Sequence, residues 1–338
     1  MKIGIFGTGA ISHKHAQAYQ NIGFPIVACS NRSQDSGKRF AAQYGAEFVP
    51  SFEDLCRHPG PDVIDVCTFP DFRLEAVQAC AAAGKHLQVE KPIATKVSTA
   101  REMIRVARDA GIVLNVISQR RFDDTTLFLA RAVREGRFGC ILECDCYVKW
   151  HRSAEYYSRP GKGAWAVEGG GALINQAIHQ VDLVRWLAGP VREVCANWQL
   201  GAVHTIESED IVNAILRFES GATGIVQAST AFWPGYTERI EIHGTQGSAI
   251  VAGGKLIAWD ILDDRGDPAP LGGEAGSGAS DPMAISTVPL ERQFRNFADA
   301  IARREAPLVS GEEALAALEV VEAIYDSCRS GAKIVLQN

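Results

Sequence analysis

The sequence predicts an α/β protein with an N-terminal doubly wound parallel sheet and a C-terminal α+β domain whose sheet is open and mainly antiparallel. Strand and helix signals alternate through residues 1–119, whereas a helix and then a run of strands follow residue 120. The chain has 338 residues, which is more than one domain usually contains. We therefore expect two domains, residues 1–119 and 120–338, and the last helix could pack back on the first domain.

The N-terminal elements follow one another at the spacing of strand–helix–strand units. Such units pair their strands in parallel, with right-handed crossovers. Gly84 supplies a C-cap to the third helix. The predicted strands are 2–6, 26–29, 63–67, 86–89 and 113–117, and the predicted helices are 12–22, 34–44 and 72–83.

The C-terminal half begins with an amphipathic helix at 126–135 and continues as strands. A helix inserted among mainly antiparallel strands is an α+β arrangement. The segment 263–284 is rich in Gly, Pro, Asp and Ser, which is typical of a surface loop or a lid, and the sequence leaves these two open. The predicted strands are 141–150, 191–200, 210–218, 222–229 and 239–243.

Composition and charge exclude several classes of function. The formal net charge is -6, so there is no basic surplus and we expect no nucleic-acid partner. No apolar run approaches the roughly 18 residues of a membrane span. The apolar run before Gly7 is also too short for a signal peptide, so we expect a cytoplasmic protein with no membrane partner. The nine cysteines lack C-x-x-C spacing, which predicts reduced thiols and no metal site.

A glycine-containing turn lies between the first predicted strand and the first predicted helix. It has the sequence Gly7-Thr8-Gly9-Ala10-Ile11-Ser12, a G-x-G-x-x-S version of the dinucleotide fingerprint. Gly7 would make the tight turn, and Gly9 would let a pyrophosphate approach the backbone at the helix N-terminus. Two glycines also occur in purely structural turns, but the strand–turn–helix context favours a Rossmann domain that binds a dinucleotide.

The end of the second predicted strand carries no acidic residue. An NAD site usually has a carboxylate about 20 positions after the fingerprint, where it binds the ribose hydroxyls. This chain has Ser30, Asn31, Arg32 and Ser33 there. Arg32 and the hydroxyls suit the 2′-phosphate of NADP, which is the preferred prediction. NAD is the alternative, because Asn31 could bond its 2′-hydroxyl while Arg32 is solvated or stacks on adenine.

A second glycine run, Gly169-Gly170-Gly171, precedes a predicted helix in the C-terminal half. Asn175 and His179 are four residues apart and share one face of that helix, and Asp182 at i+3 can approach His179. A histidine on such a helix is ordinarily a hydrogen-bonded core residue. The glycines favour a functional histidine instead, because they allow a ligand to approach the backbone.

Cationic and aromatic side chains occur around the same helix in the sequence. Flat aromatic faces and bidentate donors suit a polyhydroxylated ring, and the cations also suit a carboxylate or phosphate on an acidic sugar. The alternative is that the aromatic residues pack a domain interface. Besides Asn175, the candidate substrate-binding residues are Arg121, Lys149, Trp150, Arg152, Tyr156, Tyr157 and Trp165.

Three motifs together resemble those of the glucose-fructose oxidoreductase, inositol dehydrogenase and rhizopine-catabolism family, Gfo/Idh/MocA. They are the fingerprint at 7–12, the segment Glu90-Lys91-Pro92 and the helix that carries His179. The resemblance spans nearly the whole chain. It implies a Rossmann domain and a C-terminal sheet whose exposed face builds a homodimer or homotetramer.

The resemblance also implies roles for residues of the N-terminal half. Lys91 would contact the reacting hydroxyl, Thr68, Glu90 and Lys91 would lie beside the cofactor, and Pro92 would follow a cis peptide bond. Without the resemblance, Lys91 would be interpreted as a surface residue before a proline turn. The family often has Pro-Asn-x-x-His, whereas this chain has Leu74 in place of the histidine.

The implied activity is the reversible oxidation of a ring secondary alcohol of a sugar, cyclitol or sugar derivative. His179, in the family's histidine position, would be the general base, and Lys91 would stabilise charge on the reacting oxygen. Asn175, where many members have aspartate, would orient the substrate. Two alternatives share these motifs: a redox-neutral glycosidase that uses NAD transiently, and a non-catalytic nucleotide sensor.

Overall fold

A computed structural model describes residues 1–266, 269–270 and 286–336. Across these residues the strands form one sheet of six and one of eight. The strands are β1 (Ile3–Phe6), β2 (Ile26–Ser30), β3 (Glu47–Phe48), β4 (Val63–Val66), β5 (His86–Val89), β6 (Leu114–Val116), β7 (Ile141–Lys149), β8 (Val191–Leu200), β9 (Glu209–Phe218), β10 (Thr223–Ser229), β11 (Arg239–Gly244), β12 (Gly247–Ala252), β13 (Lys255–Ile261) and β14 (Ile334–Val335).

Helices connect these strands and follow the last long hairpin. Short 3-10 helices occupy Pro70–Phe72 and Gln119–Phe122, and a π-helical turn occupies Leu173–Ala177. The α-helices are α1 (Ala10–Asn21), α2 (Gln34–Tyr44), α3 (Phe52–Arg57), α4 (Arg73–Ala82), α5 (Val97–Asp109), α6 (Asp124–Arg134), α7 (Ala154–Tyr157), α8 (Trp165–Glu168), α9 (Ile178–Ala188), α10 (Val288–Arg303) and α11 (Gly311–Ser330).

The chain divides into two compact units. The first contains Met1–Gln119 and Thr287–Leu315, and the second contains Arg120–Ser286 and Ala316–Asn338. The expected domains were 1–119 and 120–338, with the last helix able to pack back on the first domain, whereas here α10 and the first residues of α11 group with the first unit. The physical reason is α10, whose buried Phe294 stacks on Tyr19 of α1 with ring centroids 4.1 Å apart and so joins the core of the first unit.

The sheet of the first unit has the strand order β3-β2-β1-β4-β5-β6, and all its pairings are parallel. This is the order of a Rossmann fold, in which ligands bind outside the carboxyl ends of the strands where the order reverses. Here that point lies between β1 and β4. The prediction of a doubly wound sheet is confirmed. A ligand of this sheet is therefore expected to contact the loops after β1, β4 and β5.

The sheet of the second unit has the order β13-β12-β11-β7-β10-β9-β8-β14. Its pairings are antiparallel except for β7 with β10, so the predicted mainly antiparallel sheet is also confirmed. The hairpin β12–β13 was missed. Its sequence signal is Gly253-Gly254, both with positive φ, as a two-residue turn of a twisted hairpin requires.

Two further expectations concern the segment 263–284 and the absence of a membrane-spanning segment. Residues 267–268 and 271–285 lie outside the described residues, and with them most of the predicted loop or lid at 263–284. Among the described helices, none combines the length and apolar character that crossing a membrane requires.

Candidate active site

The loop between β1 and α1 has the shape that the dinucleotide fingerprint predicts. Gly7 has a φ of 89°, and a Cβ there would lie 2.9 Å from the Thr68 Cγ2 atom, so only glycine fits. A Cβ at Gly9, the N-cap of α1, would meet no atom of the described residues within 4 Å. The backbone at Gly9 is therefore open at a helix N-terminus, which is the place where a pyrophosphate binds.

Ser12 replaces the third glycine of the fingerprint without disturbing the loop. Its side chain is fully buried, and its hydroxyl donates a 2.6 Å hydrogen bond to the Gly9 carbonyl. Ala10 is exposed and Ile11 half-buried at the start of α1. The loop therefore has small residues at the positions where a dinucleotide must approach the backbone.

The residues after β2 are linked to this loop. The Asn31 Oδ1 atom accepts from the Thr8 amide at 3.2 Å, and the Asn31 amide donates to the Ser33 carbonyl at 3.0 Å. Arg32 is exposed. Ser30 is 1% exposed, so the structure does not support its predicted contact with a cofactor; its side chain faces the interior of the unit.

Lys91 follows the carboxyl end of β5 and is half-buried, and the Lys91–Pro92 peptide bond is cis, as the resemblance implied. The preceding Glu90 is buried. Its Oε2 atom accepts from the Lys91 amide at 3.1 Å, and its Oε1 atom lies 2.9 Å from the His15 Nε2 atom. The Glu90 carboxylate is therefore engaged inside the first unit, which argues against its predicted role in holding the cofactor directly.

His15 is a buried residue that sequence analysis missed. Its Nδ1 atom lies 2.8 Å from the Asp65 Oδ2 atom, and that oxygen also accepts from the Tyr19 hydroxyl at 2.8 Å. A signal was present in the sequence, because Asp65 is a charged residue within an otherwise apolar buried strand. Buried charges in proteins are ordinarily paired, so Asp65 required a partner that the local pattern did not reveal.

A buried cation lies at the start of α4, one position before Leu74, where the family often has histidine. Arg73 is 1% exposed and donates from its Nη2 atom to the Thr68 carbonyl at 3.0 Å. Burial lowers the pKa of Arg73 to about 10, against the nearby Glu90 charge, which raises it. The guanidinium thus adds positive charge behind the loop that contains Thr68, while Leu74 is half-buried.

Asn175 and His179 lie together on the helix of the second unit. Asn175 is in the π-helical turn and His179 in the first turn of α9. Both are half-buried, whereas the residues between them are buried. The Asn175 amide donates to the Gly170 and Gly171 carbonyls at 3.0 and 3.2 Å. π-helical turns are frequent at functional sites, and this turn and the first turn of α9 each present one half-buried polar side chain from an otherwise buried segment.

Gly170 and Gly171, which precede this helix, pack closely against other parts of the protein. A Cβ at Gly171 would lie 1.9 Å from the Glu209 carbonyl oxygen, and one at Gly170 would lie 2.2 Å from the Tyr325 hydroxyl. We expected these glycines to let a ligand approach the backbone. In the structure they are instead required by close packing against β9 and α11.

Glu209 is the carboxylate that holds the start of the helix. Its oxygens accept from the Gly171 amide at 2.8 Å, the Leu173 amide at 2.9 Å and the Tyr325 hydroxyl at 2.9 Å. Burial raises the pKa of Glu209 to about 7, although these hydrogen bonds lower it. No pattern in the sequence singles out this residue, since it stands at the start of a strand beside Asp210.

Arg121 does not have the environment of a substrate-binding residue. Its side chain is 0% exposed and forms a bidentate pair with Asp182, with N–O distances of 2.8 and 2.5 Å. The Asp182 carboxylate, which was expected to approach His179, is thus engaged with Arg121. A fully buried bidentate pair has a structural role, because neither charge is available to a ligand.

Arg152 lies among aromatic rings of the predicted substrate set. Its guanidinium is 4.8 Å from the Trp150 ring centroid and 5.7 Å from that of Tyr156, and both Arg152 and Trp150 are buried. The Tyr156 hydroxyl accepts from Gln176, the neighbour of Asn175, at 3.1 Å. Tyr156 is therefore linked through Gln176 to the helical turn that contains Asn175.

The remaining members of the set are less closely connected. Lys149 is half-buried, with its ammonium 5.3 Å from the Tyr147 ring. The Tyr157 hydroxyl hydrogen-bonds to Thr230 at 2.8 Å. Trp165 packs edge-on against Tyr325 with ring centroids 5.1 Å apart, so its environment is that of a packing residue.

Comparison with known protein families agrees with this architecture. Residues 1–118 match the oxidoreductase family with an NAD-binding Rossmann fold, and residues 126–250 match the GFO/IDH/MocA C-terminal domain. The chain belongs to the Gfo/Idh/MocA family. It is therefore an oxidoreductase whose Rossmann domain binds NAD(H).

Individual relatives are similar over most of their length. Myo-inositol 2-dehydrogenase of Thermotoga maritima is 29% identical over 277 residues, 79% of this chain and 80% of that one. The 1,5-anhydro-D-fructose reductase of Ensifer adhaerens is 27% identical over 97% of this chain and 96% of its own. The crystal structure of the WlbA dehydrogenase from Bordetella pertussis, in complex with NADH and UDP-GlcNAcA, has a TM-score of 0.89 at 29% identity and covers 100% of this chain and 99% of that one.

Proposed function

We propose that the protein transfers a hydride between a nicotinamide dinucleotide and a secondary alcohol of a sugar, cyclitol or sugar derivative. The observation that carries the proposal is the half-buried pair Asn175 and His179 in the otherwise buried segment 171–180. The names of the relatives, which include an inositol dehydrogenase and an anhydrofructose reductase, support the substrate class. The first unit would hold the dinucleotide and the second the substrate.

Each proposed residue has one chemical role. A carbinol C–H is a workable hydride donor only while the hydroxyl proton is being removed, so the reaction needs a base, which is His179. Lys91 donates a hydrogen bond to the same oxygen and stabilises its developing negative charge. Asn175 and Tyr156 bond other hydroxyls. The bound nicotinamide supplies the hydride acceptor.

A substrate screen tests the proposal. The protein is incubated with NAD⁺ or NADP⁺ and a panel of cyclitols, aldoses, anhydrosugars and nucleotide-sugars, and absorbance at the reduced-nicotinamide band is followed. Net reduction with one class supports the proposal. Release of an aglycone without net reduction would show the glycosidase alternative, and dinucleotide binding with neither reaction would show the sensor.

Two variants separate the proposed roles. His179→Ala removes the base, so turnover should fall about 10²- to 10⁴-fold, with the largest loss above the pKa of the base. Lys91→Met removes a positive charge, so turnover should fall across the whole pH range. Dinucleotide affinity, measured by calorimetry, serves as the folding control. If His179→Ala keeps more than about a tenth of the turnover with an unchanged pH profile, the histidine is structural.

We further propose a preference for NADP⁺ over NAD⁺. The exposed Arg32 and the lack of a carboxylate at residues 30–33 support it, because nothing in that segment repels a 2′-phosphate. Arg32→Ala should raise KM for NADP⁺ by about tenfold or more and leave KM for NAD⁺ unchanged. Arg39→Ala, an exposed cation of α2, is the matched control. A wild type with higher kcat/KM for NAD⁺ contradicts the preference.

We also propose a homodimer or homotetramer formed through the outer face of the second sheet. Ile215 of β9 and Ile225 of β10 are register partners on that face and are 61% and 36% exposed. Such apolar exposure on a sheet face is typical of an interface. Light scattering on Ile215→Arg should show a smaller assembly than the wild type. An unchanged mass would place the interface elsewhere or exclude it.

A further inference from the structure

A row of polar side chains crosses the sheet of the first unit. Asp65 of β4, Gln88 of β5 and Asn115 of β6 are register partners on neighbouring strands, and all three are fully buried. The Asn115 amide donates to Gln88 at 2.8 Å, Gln88 donates to the Tyr19 hydroxyl at 2.7 Å, and Tyr19 donates to Asp65. Parallel strands buried on both faces are normally apolar, so this row requires an explanation.

The row of polar side chains ends at His15. The two carboxylates beside the His15 ring determine how many protons the ring carries. One ring nitrogen lies 2.8 Å from Asp65 and the other 2.9 Å from Glu90. An ionised carboxylate only accepts hydrogen bonds, so a ring between two carboxylates must donate from both nitrogens. His15 therefore has the geometry of an imidazolium.

The charges around this ring agree with that geometry. Burial lowers the pKa of His15, but Cys67 and Asp65 raise it, and the net pKa is well above the ordinary value. Burial also raises the pKa of the Cys67 thiol to about 12, so at neutral pH this thiol is uncharged, and the carboxylates that contact the ring are those of Asp65 and Glu90. On the other side of Glu90, Arg73 and Lys91 contribute positive charge.

We propose that His15 is a positioning residue of the hydride-transfer reaction: as a buried imidazolium it clamps Glu90 to Asp65 and thereby holds the backbone from which Lys91 projects. The proposal rests on the role of Lys91 given under Proposed function. Glu90 accepts from the Lys91 amide and from His15, so fixing one oxygen orients the other. Because His15 is on α1, directly after the Gly7–Gly9 loop, the clamp also joins the dinucleotide loop to the end of β5.

The first experiment compares two histidines of one helix. His15→Gln removes the cation that bonds the Glu90 carboxylate directly, while His13→Gln changes a half-buried residue that contacts the Tyr44 hydroxyl at 2.9 Å. His15→Gln should lower kcat on the order of 10- to 100-fold, because small displacements of a catalytic group are costly. KM for the dinucleotide should change much less. His13→Gln should retain wild-type kcat, and equal losses in the two variants would contradict the proposal.

The pH profile separates this role from a merely structural one. Without the imidazolium, burial should raise the pKa of Glu90 from about 2 towards neutrality, so the pH–rate profile of His15→Gln should gain a new ionisation. The double variant His15→Gln/Glu90→Gln removes both charges and should lose that ionisation and recover part of kcat. A single-variant profile parallel to the wild type overturns the proposal.

The protonation of His15 can also be measured directly in the wild type, which tests the proposal even if His15→Gln does not fold. Nitrogen NMR of the histidine-labelled wild type should show an imidazole protonated on both nitrogens at about pH 8.5, far above the ordinary histidine pKa. The same resonance should move in Glu90→Gln. A neutral His15 at that pH contradicts this inference alone, whereas a failed substrate screen contradicts the proposed function alone.

Discussion

Each of the two units contains a buried carboxylate, and the two carboxylates differ in their hydrogen-bond donors and in their pKa values. Glu90 in the first unit is bonded by His15 and has Lys91 and Arg73 nearby. Glu209 in the second unit is bonded by two backbone amides and the Tyr325 hydroxyl, all of them neutral donors. Burial raises the pKa of both groups, but the cations lower that of Glu90 to about 2, while Glu209 is left at about 7.

The comparison shows that burial alone does not determine the charge of a site. Each carboxylate stands next to a residue of proposed function, Glu90 before Lys91 and Glu209 at the start of the helix with Asn175. The first is held charged across the ordinary pH range, whereas the second changes charge near neutrality. The Lys91 region should therefore be insensitive to pH, and the Asn175 region should be sensitive to it.

The largest expected effect is on stability when each carboxylate becomes an amide. Glu90→Gln leaves a buried imidazolium with one partner, so the free energy of unfolding should fall by about 3 kcal/mol. Glu209→Gln removes a charge that had no cation, and the lost hydrogen bond should cost only about 1 kcal/mol. Urea denaturation at pH ~8 measures both. Equal losses would mean that the cations around Glu90 do not stabilise its charge.

The pH dependence of stability should also differ in sign. The pKa of Glu209 is raised to about 7 from 4.5, so the folded state binds more protons and this group's contribution falls as pH rises between these values, by up to about 3 kcal/mol. The pKa of Glu90 is lowered, so its contribution is present above 4.5 and lost as pH falls towards 2. Unfolding curves of both Gln variants against wild type test this. A Glu209→Gln difference that stays flat from pH ~5 to ~8 would falsify the raised pKa.

Smaller effects than that of Glu90→Gln are expected at the two tyrosines. Tyr19→Phe leaves the buried Gln88 amide without its acceptor and removes one of the donors to Asp65, so the loss should be about 2 kcal/mol. Tyr325→Phe removes one of three donors to Glu209 and should cost about 1 kcal/mol. It should also raise the pKa of Glu209 further, which the pH dependence of unfolding would show as a break at higher pH. The idea fails if that break moves down.

Part of the candidate site was predictable because its signals are local. The positive φ of Gly7 and the open backbone at Gly9 depend on residues within a few positions, whereas the cis bond before Pro92 was implied by the family resemblance. The shared face of Asn175 and His179 follows from helical spacing. The role of Arg121 was not predictable, since its partner Asp182 is 61 residues away and a lone arginine gives no sign of being buried.

The sequence by itself determined the fold class, the turn that receives a dinucleotide and the residues that define the family, because the period of apolar residues and the needs of a tight turn are expressed over short stretches. Only the tertiary structure decided which charges meet. His15 reaches Asp65 across 50 residues and Glu90 across 75, and Glu209 reaches Tyr325 across 116. Desolvation and charge pairing depend on distances in space, so the protonation of His15 and Glu209 is a property of the folded chain.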